Sequence, residues 1–224
     1  ALNVASVLSG IVRDGHCNPI SNIRLRVNDL VSGTNMGDIY SDDNGAYSLP
    51  LANGSYEIDV YQGLYPYDSN QPKPERFYVL PIVHSLTVAG DTTQNIDLPF
   101  ITLSGKTTDA NGVAVAGVEV KPNDSWGDTS SGAYQGRHVN TSMLSDANGD
   151  YSLVVLVGLD SVTLTPPSGS DLAITAINGL ALTTDTARDF ALNVASVLSG
   201  IVRDGHGNPI SNIRLRVNDL VSGT

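Results

Sequence analysis

Cysteine is nearly absent from this sequence of 224 residues, which contains only Cys17. A disulfide within the chain needs two cysteines, so any disulfide through Cys17 would join two molecules. Long apolar runs are also missing, since no stretch approaches the roughly 20 residues that a membrane-spanning helix requires. The sequence therefore excludes a disulfide-rich scaffold and predicts no membrane insertion in this segment.

Positive charge is scarce as well. The chain carries 12 Lys and Arg residues against 23 Asp and Glu residues, which gives a net charge of −11 and a pI of about 4.5. Nucleic acids and anionic membrane surfaces bind proteins through clustered positive charge, so neither is a predicted partner. The acidic balance is typical of a hydrated, soluble surface, and it also allows cation binding.

Catalytic motifs are the third absence. The sequence has no G-x-S-x-G motif, no Walker loop and no glycine-rich dinucleotide fingerprint. Its four histidines, His16, His84, His138 and His206, have no second His or Cys at the spacing of a metal site. We therefore predict that the chain is not an enzyme and holds no cofactor, with Ca²⁺ as the one candidate ion.

The most informative feature that is present is a repeat. Residues 191–224 copy residues 1–34 at every position but one, where Gly207 replaces Cys17. Residues 1–190 therefore make up one full period, and residues 191–224 begin the next. Such copying is typical of modular arrays, whereas a catalytic domain gains little from it. We interpret the chain as a window on a tandem array.

The period divides into two related units. Leu8-Ser9-Gly10 recurs as Leu103-Ser104-Gly105 and again as Leu198-Ser199-Gly200, each time at an offset of 95. Each tripeptide is followed by a short strand pattern, an Asp, a turn and a second apolar alternation. The array would therefore read A-B-A-B, with A and B sharing one framework.

The two units differ in their loops. The signature Ser-Asp-x-Asn-Gly-x-Tyr-Ser-Leu spans residues 41–49 in unit A and residues 145–153 in unit B, an offset of 104. Unit B thus carries nine extra residues before the signature, in the loop around Trp126 to His138. Unit A regains this length after the signature, in Gly63 to Arg76.

Strand signals dominate the local pattern. Apolar and polar residues alternate through residues 23–27, 56–60 and 162–165, as in half-buried strands. Asn-Gly or Asp-Gly, the preferred dipeptides of tight turns, occurs seven times. Short strands with frequent turn signals indicate a β-sandwich, and no segment combines helical periodicity with capping residues.

These patterns predict an all-β chain of tandem Ig-like or transthyretin-like β-sandwich modules of about 95 residues, stacked end to end. Residues 1–4 would end a preceding module, 5–99 form module A, 100–194 form module B, and 195–224 supply the opening strands of a further module A. No Gly/Ser-rich or Pro-rich linker separates the modules, so we expect stiff junctions. The opening strands alone lack the partners that would bury their apolar face.

The order of these signatures resembles the carboxypeptidase regulatory-like domain, a transthyretin-like sandwich close to the Cna-B and SdrD-B surface repeats. The stretches that carry the resemblance are Ser104–Gly112, Val115–Val120, Ser145–Leu153 and, in unit A, Asn53–Tyr56. The resemblance implies a sandwich of roughly seven strands. It also implies secretion or surface display, tandem arrangement and no catalysis within the module.

Oxygen-bearing side chains in the two Ser-Asp-x-Asn-Gly signatures have the spacing of calcium ligands. They are Asp42, Asp43 and Asn44 in unit A and Asp146, Asn148 and Asp150 in unit B. The EF-hand loop is not completed, because no bidentate acid follows at the required distance. A β-turn before an aromatic strand is the interpretation we favour, and a Ca²⁺ ion at a module junction is the alternative.

Aromatic residues stand out in two long loops. Tyr65 and Tyr67 lie in the first loop, whereas the second holds Trp126, the only tryptophan, and Tyr134. Such residues can stack on sugars or anchor a partner protein. They can equally pack against the neighbouring module, which is the interpretation we favour.

The sequence as a whole predicts a structural module of a long, repetitive extracellular stalk, fibre or filament. Its predicted partners are other copies of the same repeat, end to end and also laterally. The alternative is an adhesin or carbohydrate-binding module of the cell surface, whose aromatic loops would contact a glycan or another surface ligand.

Overall fold

A computed structural model describes residues 6–62, 76–128, 135–196 and 198–217. Residues 1–4, the predicted end of a preceding module, lie outside the described residues. All regular structure in the described part of the chain is β-strand, which confirms the predicted all-β class. Within these residues no helix has the length and apolar character needed to cross a membrane.

Eighteen strands are found among the described residues. In the first half they are β1 Ser6–Arg13, β2 Arg24–Asp29, β3 Asn35–Tyr40, β4 Ala46–Leu51, β5 Gly54–Gln62, β6 Arg76–Val88, β7 Thr92–Thr93 and β8 Ile96–Asp97. In the second half they are β9 Phe100–Asp109, β10 Glu119–Pro122, β11 Asp124–Asp128, β12 Gln135–Asn140, β13 Met143–Leu144, β14 Asp150–Leu156, β15 Val162–Thr165, β16 Thr175–Ile177, β17 Thr186–Ala187 and β18 Phe190–Leu192. Here the first half means residues 6–99 and the second half means residues 100–194.

The first half contains two sheets. In one sheet β1 lies between β4, to which it is antiparallel, and the short strands β7 and β8, to which it is parallel. The other sheet has the order β3-β2-β5-β6, and all of these neighbours are antiparallel. The first strand therefore pairs in parallel with the last, which fixes both ends of this half in one sheet.

The second half repeats the arrangement. Strand β9 lies between β14 and the short strands β17 and β18, again with antiparallel pairing on one side and parallel pairing on the other. The second sheet has the order β13-β10-β15-β16. The two halves thus share one framework, as the recurring signatures predict.

Each half contributes most of one hydrophobic core. In the first core the inward residues of β1 and β2, Leu8, Val12, Leu25 and Val27, are fully buried against Tyr56 and other residues of β5. The second core is built in the same way around Leu103, Val120, Val155 and Leu164. Burial of alternate residues in β2 and β15 confirms the period-two pattern that the sequence shows at residues 23–27 and 162–165.

The glycine of Leu-Ser-Gly recurs for a steric reason. Gly10 on β1 lies opposite Tyr47 on β4, and a Cβ atom on Gly10 would lie 1.9 Å from the carbonyl oxygen of Gln94. The same carbonyl accepts a hydrogen bond from the Tyr47 hydroxyl. In the second half Gly105, Tyr151 and Arg188 make the equivalent set. The motif therefore brings the last connection of each half onto its first strand.

The Ser-Asp-x-Asn-Gly part of the second signature forms a turn closed by side chains. The buried hydroxyl of Ser41 donates to the Ile20 carbonyl and accepts from the Ile23 amide, and Ser145 repeats this role in the second half. The Asp42 carboxylate accepts two backbone amide hydrogens, from Asn44 and Ala46. The repeated residues thus satisfy buried backbone groups at the start of the next strand.

The copied segment at residues 196–217 behaves differently from its first copy. Strands are predicted there, yet the pairing among its described residues is a single bridge, between Arg203 and Pro209, beside the turn that follows Asp204. Large apolar side chains remain exposed, including Leu198 at 83% and Leu215 at 71%. The turn forms because its hydrogen bonds are local, whereas the strands need partners from elsewhere in the chain.

Candidate functional site: the junction between the halves

The two halves meet without a linker. Only Leu98 and Pro99 separate the end of β8 from the start of β9. The Leu98 amide donates to the Arg13 carbonyl at 2.8 Å, and the Val157 amide donates to the Pro99 carbonyl at 2.8 Å. The connection is therefore hydrogen-bonded to residues of both halves, and we call the region around it the junction.

Buried residues at the junction belong to both cores. Phe100 and Leu156 are directly paired on β9 and β14, yet both pack in the first core. Their neighbours Ile101 and Val155 pack in the second core. Apolar packing is therefore continuous through the junction, and separating the halves would expose Phe100 and Leu156 to water.

A polar contact lies beside this packing. The turn after β1 carries His16, whose Nε2 lies 2.7 Å from a carboxylate oxygen of Asp185 in the second half. The other Asp185 oxygen accepts the Thr102 amide at 2.8 Å. The Asp14 carboxylate lies 4.0 Å from His16 Nδ1 and is held by amide hydrogen bonds from His16 and Asn18.

These contacts shift the pKa values of both partners. The hydrogen bond and the charge of Asp185 raise the pKa of His16 above its ordinary value. The Thr102 amide, followed by His16, lowers the pKa of Asp185. Both shifts favour a charged pair that links the halves, although the exposed position of His16 weakens it by solvent screening.

A second connection between the halves is a hairpin. Strands β11 and β12 pair with each other, and β12 continues antiparallel along β6 of the first half, from Gly136 opposite Leu80 to Asn140 opposite Arg76. The sheet of the first half is thereby extended to six strands in the order β11-β12-β6-β5-β2-β3. The region of unit B that carries the nine extra residues therefore includes two strands that pair with each other, one of which also pairs with the first half.

The aromatic candidates fall largely outside the described residues. Tyr65, Tyr67 and Tyr134 lie there, and Trp126 is described only by its backbone, which pairs with Arg137 in the hairpin. The region around Trp126 was expected to be a loop, and it forms strands because β6 offers a free edge for pairing. Glycan binding by these four residues stays a prediction.

The calcium candidates take part in turns. Asp42 and Asp146 each accept backbone amides within their own turn, and Asp150 lies 2.8 Å from Lys106 Nζ. Asp43, Asn44 and Asn148 lie in the same two turns. Among the described residues, no three His, Cys, Asp or Glu residues are grouped to hold a metal ion. Calcium binding stays a prediction, which titration calorimetry with Ca²⁺ would test.

Sequence reasoning missed the two contacts across the junction. His16 and Asp185 are 169 residues apart, and each is isolated in the sequence. One signal was available for Asp185, because Asp91 occupies the same place in the first half, where it accepts the Val7 amide. For the hairpin, the sequence shows that unit B carries extra residues around Trp126 to His138, but nothing in it indicates that their partner is β6 of the first half.

Comparisons with known proteins give remote structural matches. No protein-family model and no curated protein matches the chain. The streptococcal ancillary pilin is 12% identical with a TM-score of 0.38, and the match covers 87% of this chain and 64% of that protein, just under two thirds of its length.

Two further pilins match at a similar level. The shaft pilin SpaA from Lactobacillus rhamnosus GG is 11% identical with a TM-score of 0.40, over 87% of this chain and 100% of that one. The minor pilin GBS52 of Streptococcus agalactiae is 10% identical with a TM-score of 0.40, over 88% and 100%. Similarity at this level carries no conclusion about the function of this chain.

Proposed function

We propose that this chain is a structural module of a long, repetitive extracellular stalk or fibre, and that it acts without catalysis. Each half is one sandwich module, A or B, and the modules stack end to end. The partners of the chain are other copies of the same repeat. The near-identity of residues 1–34 and residues 191–224 supports this proposal, because arrays grow by duplicating whole units.

The observation that carries the proposal is the extension of a first-half sheet by a strand of the second half. Pairing of β12 with β6 adds a ladder of main-chain hydrogen bonds between the halves. At the junction the halves also share the continuous packing of Phe100 and Leu156. Domains joined by a flexible tether have neither feature. This arrangement therefore favours a stiff unit over domains that move independently of each other.

Electron microscopy of a longer array tests the proposal. Three tandem copies of residues 5–194, expressed as one chain, should appear as thin rods. Their length should grow in proportion to the number of copies, as measured against one-copy and two-copy chains. Compact particles, or chains whose end-to-end distance grows only as the square root of the copy number, would contradict the proposal.

A matched control isolates the junction. Insertion of a Gly-Ser linker between Pro99 and Phe100 separates β9 from β8 and should loosen the packing of Phe100 and Leu156 on the first core, whereas the other buried members of each core lie within one half. The rods should then bend at regular intervals, and their persistence length should fall. If the linker variant is as straight as the parent chain, the junction does not provide the stiffness.

A further inference from the structure

The first and last strands of each half lie side by side and run parallel. In the first half β1 pairs with β7 at Leu8 and Ser9 and with β8 at Val12 and Arg13. In the second half β9 pairs in the same way with β17 and β18. The chain enters each half by the first of these strands and leaves it by the last. Tension along the chain therefore acts directly on this pairing.

We propose that this pairing is a mechanical clamp through which each half bears tension along the axis of a stalk or fibre. Parallel strands pulled from opposite ends slide past each other, so their evenly spaced hydrogen bonds share the force and must break together. Strands pulled from the same end separate one bond at a time, at a lower force. The inference rests on the proposed function, because a module within an array is pulled from both ends.

Side chains complete the clamp of the first half where the main-chain ladder is interrupted. Between β7 and β8, the side-chain oxygen of Asn95 accepts the Ile11 amide at 3.0 Å. Just before β7, the Asp91 carboxylate accepts the Val7 amide at 2.9 Å. We call Asp91 and Asn95 the latch residues of the first half. They fill the gap in the row of hydrogen bonds and lengthen the row at its start.

Main-chain hydrogen bonds complete the row. The Gln94 amide donates to the Ser9 carbonyl, and the Leu98 amide donates to the Arg13 carbonyl, both at 2.8 Å. Together with the two latch bonds, every second residue of β1 from Val7 to Arg13 is bonded to the last part of the first half. The clamp thus extends over nearly the whole length of the first strand.

The second half repeats these side-chain contacts. The Asp185 carboxylate accepts the Thr102 amide, and the Asp189 carboxylate accepts the Lys106 amide, both at 2.8 Å. The latch residues of both halves are four positions apart, in the patterns Asp-Thr-x-x-Asn and Asp-Thr-x-x-Asp. The halves differ in their other sheet, where only the first is extended by a hairpin. The clamp therefore belongs to the framework that both halves share.

The glycine of the first strand also opposes sliding. The Gln94 carbonyl lies 1.9 Å from where a Cβ atom on Gly10 would be, and it accepts a hydrogen bond from the Tyr47 hydroxyl. If β1 were pulled towards its start by two residues, Val12 would take the position of Gly10. The Cβ atom of Val12 would then overlap this carbonyl. Sliding is therefore resisted by steric contact as well as by hydrogen bonds.

Tension passes from one clamp to the next without crossing the second sheet of the first half. Only Leu98 and Pro99 separate β8 from β9, and β9 is the first strand of the second clamp. Strands β2, β3, β5 and β6 and the hairpin of β11 and β12 lie outside this line. Substitutions in these strands should therefore change the equilibrium stability without changing the rupture force.

Single-molecule pulling in two directions tests the clamp on the full-length chain. Cys17→Gly removes the native thiol, and the chain is held by its N-terminus and by one new cysteine at an exposed position, Ala110→Cys or Ala89→Cys. Ala110 follows β9, so pulling there loads the first clamp from opposite ends. Ala89 precedes β7, so pulling there loads it from one end. The rupture force should be at least about threefold higher through position 110. Equal forces would overturn the proposal.

A matched pair of asparagine substitutions tests the latch. Asn95→Ala removes the bond to Ile11, whereas Asn28→Ala removes a side-chain hydrogen bond to Asp59, at 2.9 Å, in the other sheet. With the chain held through position 110, Asn95→Ala should raise the unfolding rate at constant force about fivefold, the factor that one net hydrogen bond produces. Asn28→Ala should leave this rate unchanged, although urea unfolding should show that both variants are less stable. Equal rates under force would refute the role of the latch.

The clamp and the fibre can fail separately. If tandem copies of residues 5–194 form rods but the rupture force does not depend on the pulling direction, this inference fails and the proposed function stands. If the force depends on direction but the tandem copies form compact particles, the clamp is present and the proposed function fails.

Discussion

Two copies of one sequence, residues 6–27 and residues 196–217, adopt different structures within the same molecule. In the first copy Leu25 lies in a strand and is fully buried, whereas in the second copy Leu215 is 71% exposed outside any strand. The local sequence is the same, so propensity cannot explain the difference. Strand formation here depends on the partner strands that follow the first copy, namely β3 to β8.

The turn between the strands, in contrast, forms in both copies. Asp14 accepts amide hydrogens from His16 at 2.8 Å and from Asn18 at 2.9 Å. Asp204 accepts them from His206 and Asn208, both at 2.8 Å. These hydrogen bonds span only two to four residues, so no distant partner is needed. Within one repeated sequence, therefore, the turn is encoded locally and the strands are not.

The largest expected effect comes from substituting the same core residue in each copy. Leu25→Ala should destabilise the first half by about 3 kcal/mol, because it leaves a cavity in a closed core. Leu215→Ala in the exposed copy should change the free energy of unfolding by less than about 0.5 kcal/mol. Urea unfolding of the two variants measures both values at low protein concentration. Similar losses would show that the second copy is also packed.

The recurring glycine gives the next largest contrast. Gly10→Ala should cost about 2 kcal/mol, since the added methyl group overlaps the Gln94 carbonyl and forces β1 away from it. Gly200→Ala has nothing within 4 Å to displace and should be nearly neutral. Thermal unfolding of the pair compares them directly. A stable Gly10→Ala variant would mean that the last connection does not lie against β1.

Position 17 should respond in the opposite direction. Cys17→Gly is expected to stabilise the first half by about 1 kcal/mol, because glycine adopts the positive φ of this turn without strain. The reverse change in the other copy, Gly207→Cys, should not alter the unfolding midpoint, since residues 196–217 contribute little to the cooperative core. Denaturant titration under reducing conditions would reveal either result. A destabilised Cys17→Gly variant would contradict the strain.

The smallest effect concerns the pH dependence of the junction. With its raised pKa, His16 contributes fully below its ordinary value of 6.5, and the contribution disappears as the pH rises through the raised value. With its lowered pKa, Asp185 contributes fully above 3.8, and this is lost as the pH falls through the lowered value. The pair should therefore stabilise the junction most between these pH values.

Substitution of each histidine separates this effect from the general pH response. His16→Gln should flatten the decline in unfolding temperature between pH 5.5 and pH 8.5. His206→Gln, in the same local sequence but on the exposed second copy, should leave the decline unchanged. A parallel response of both variants would assign the effect to the turn instead of the junction.

Much of the framework was predictable because it repeats. Two occurrences of Leu-Ser-Gly and of Ser-Asp-x-Asn-Gly mark the same positions in both halves, and the alternation in residues 23–27 gives the buried face of β2. The hairpin at Asp124–Asn140 was not predictable in the same way. Its partner β6 lies in the other half, and no local pattern encodes that pairing.

The candidate site was less predictable than the fold. His16 and Asp185 come together only because the first strand of each half pairs with the last connection of that half and the halves meet at Pro99. The apolar face at residues 195–224 is predicted to lack partners, and Leu198 and Leu215 are exposed, but the predicted strands do not form among the described residues of this segment. The alternation of apolar and polar residues there is typical of a strand. It identifies which face of the strand could be buried, but it does not identify the partner strands that would bury that face.

Pairing of β12 with β6 also bears on how such a gene can grow. A duplication of the second half alone would leave the new β11–β12 hairpin without a β6 strand to pair with. A duplication of the first half alone would leave the new β6 without the strand that extends its sheet. Copying both halves together keeps every such pair. Selection for intact pairs would then preserve a genetic period that spans both halves, even though each half has sheets of its own. Sequence divergence between A and B, beside near-identity between successive A copies, is the pattern that this constraint would leave.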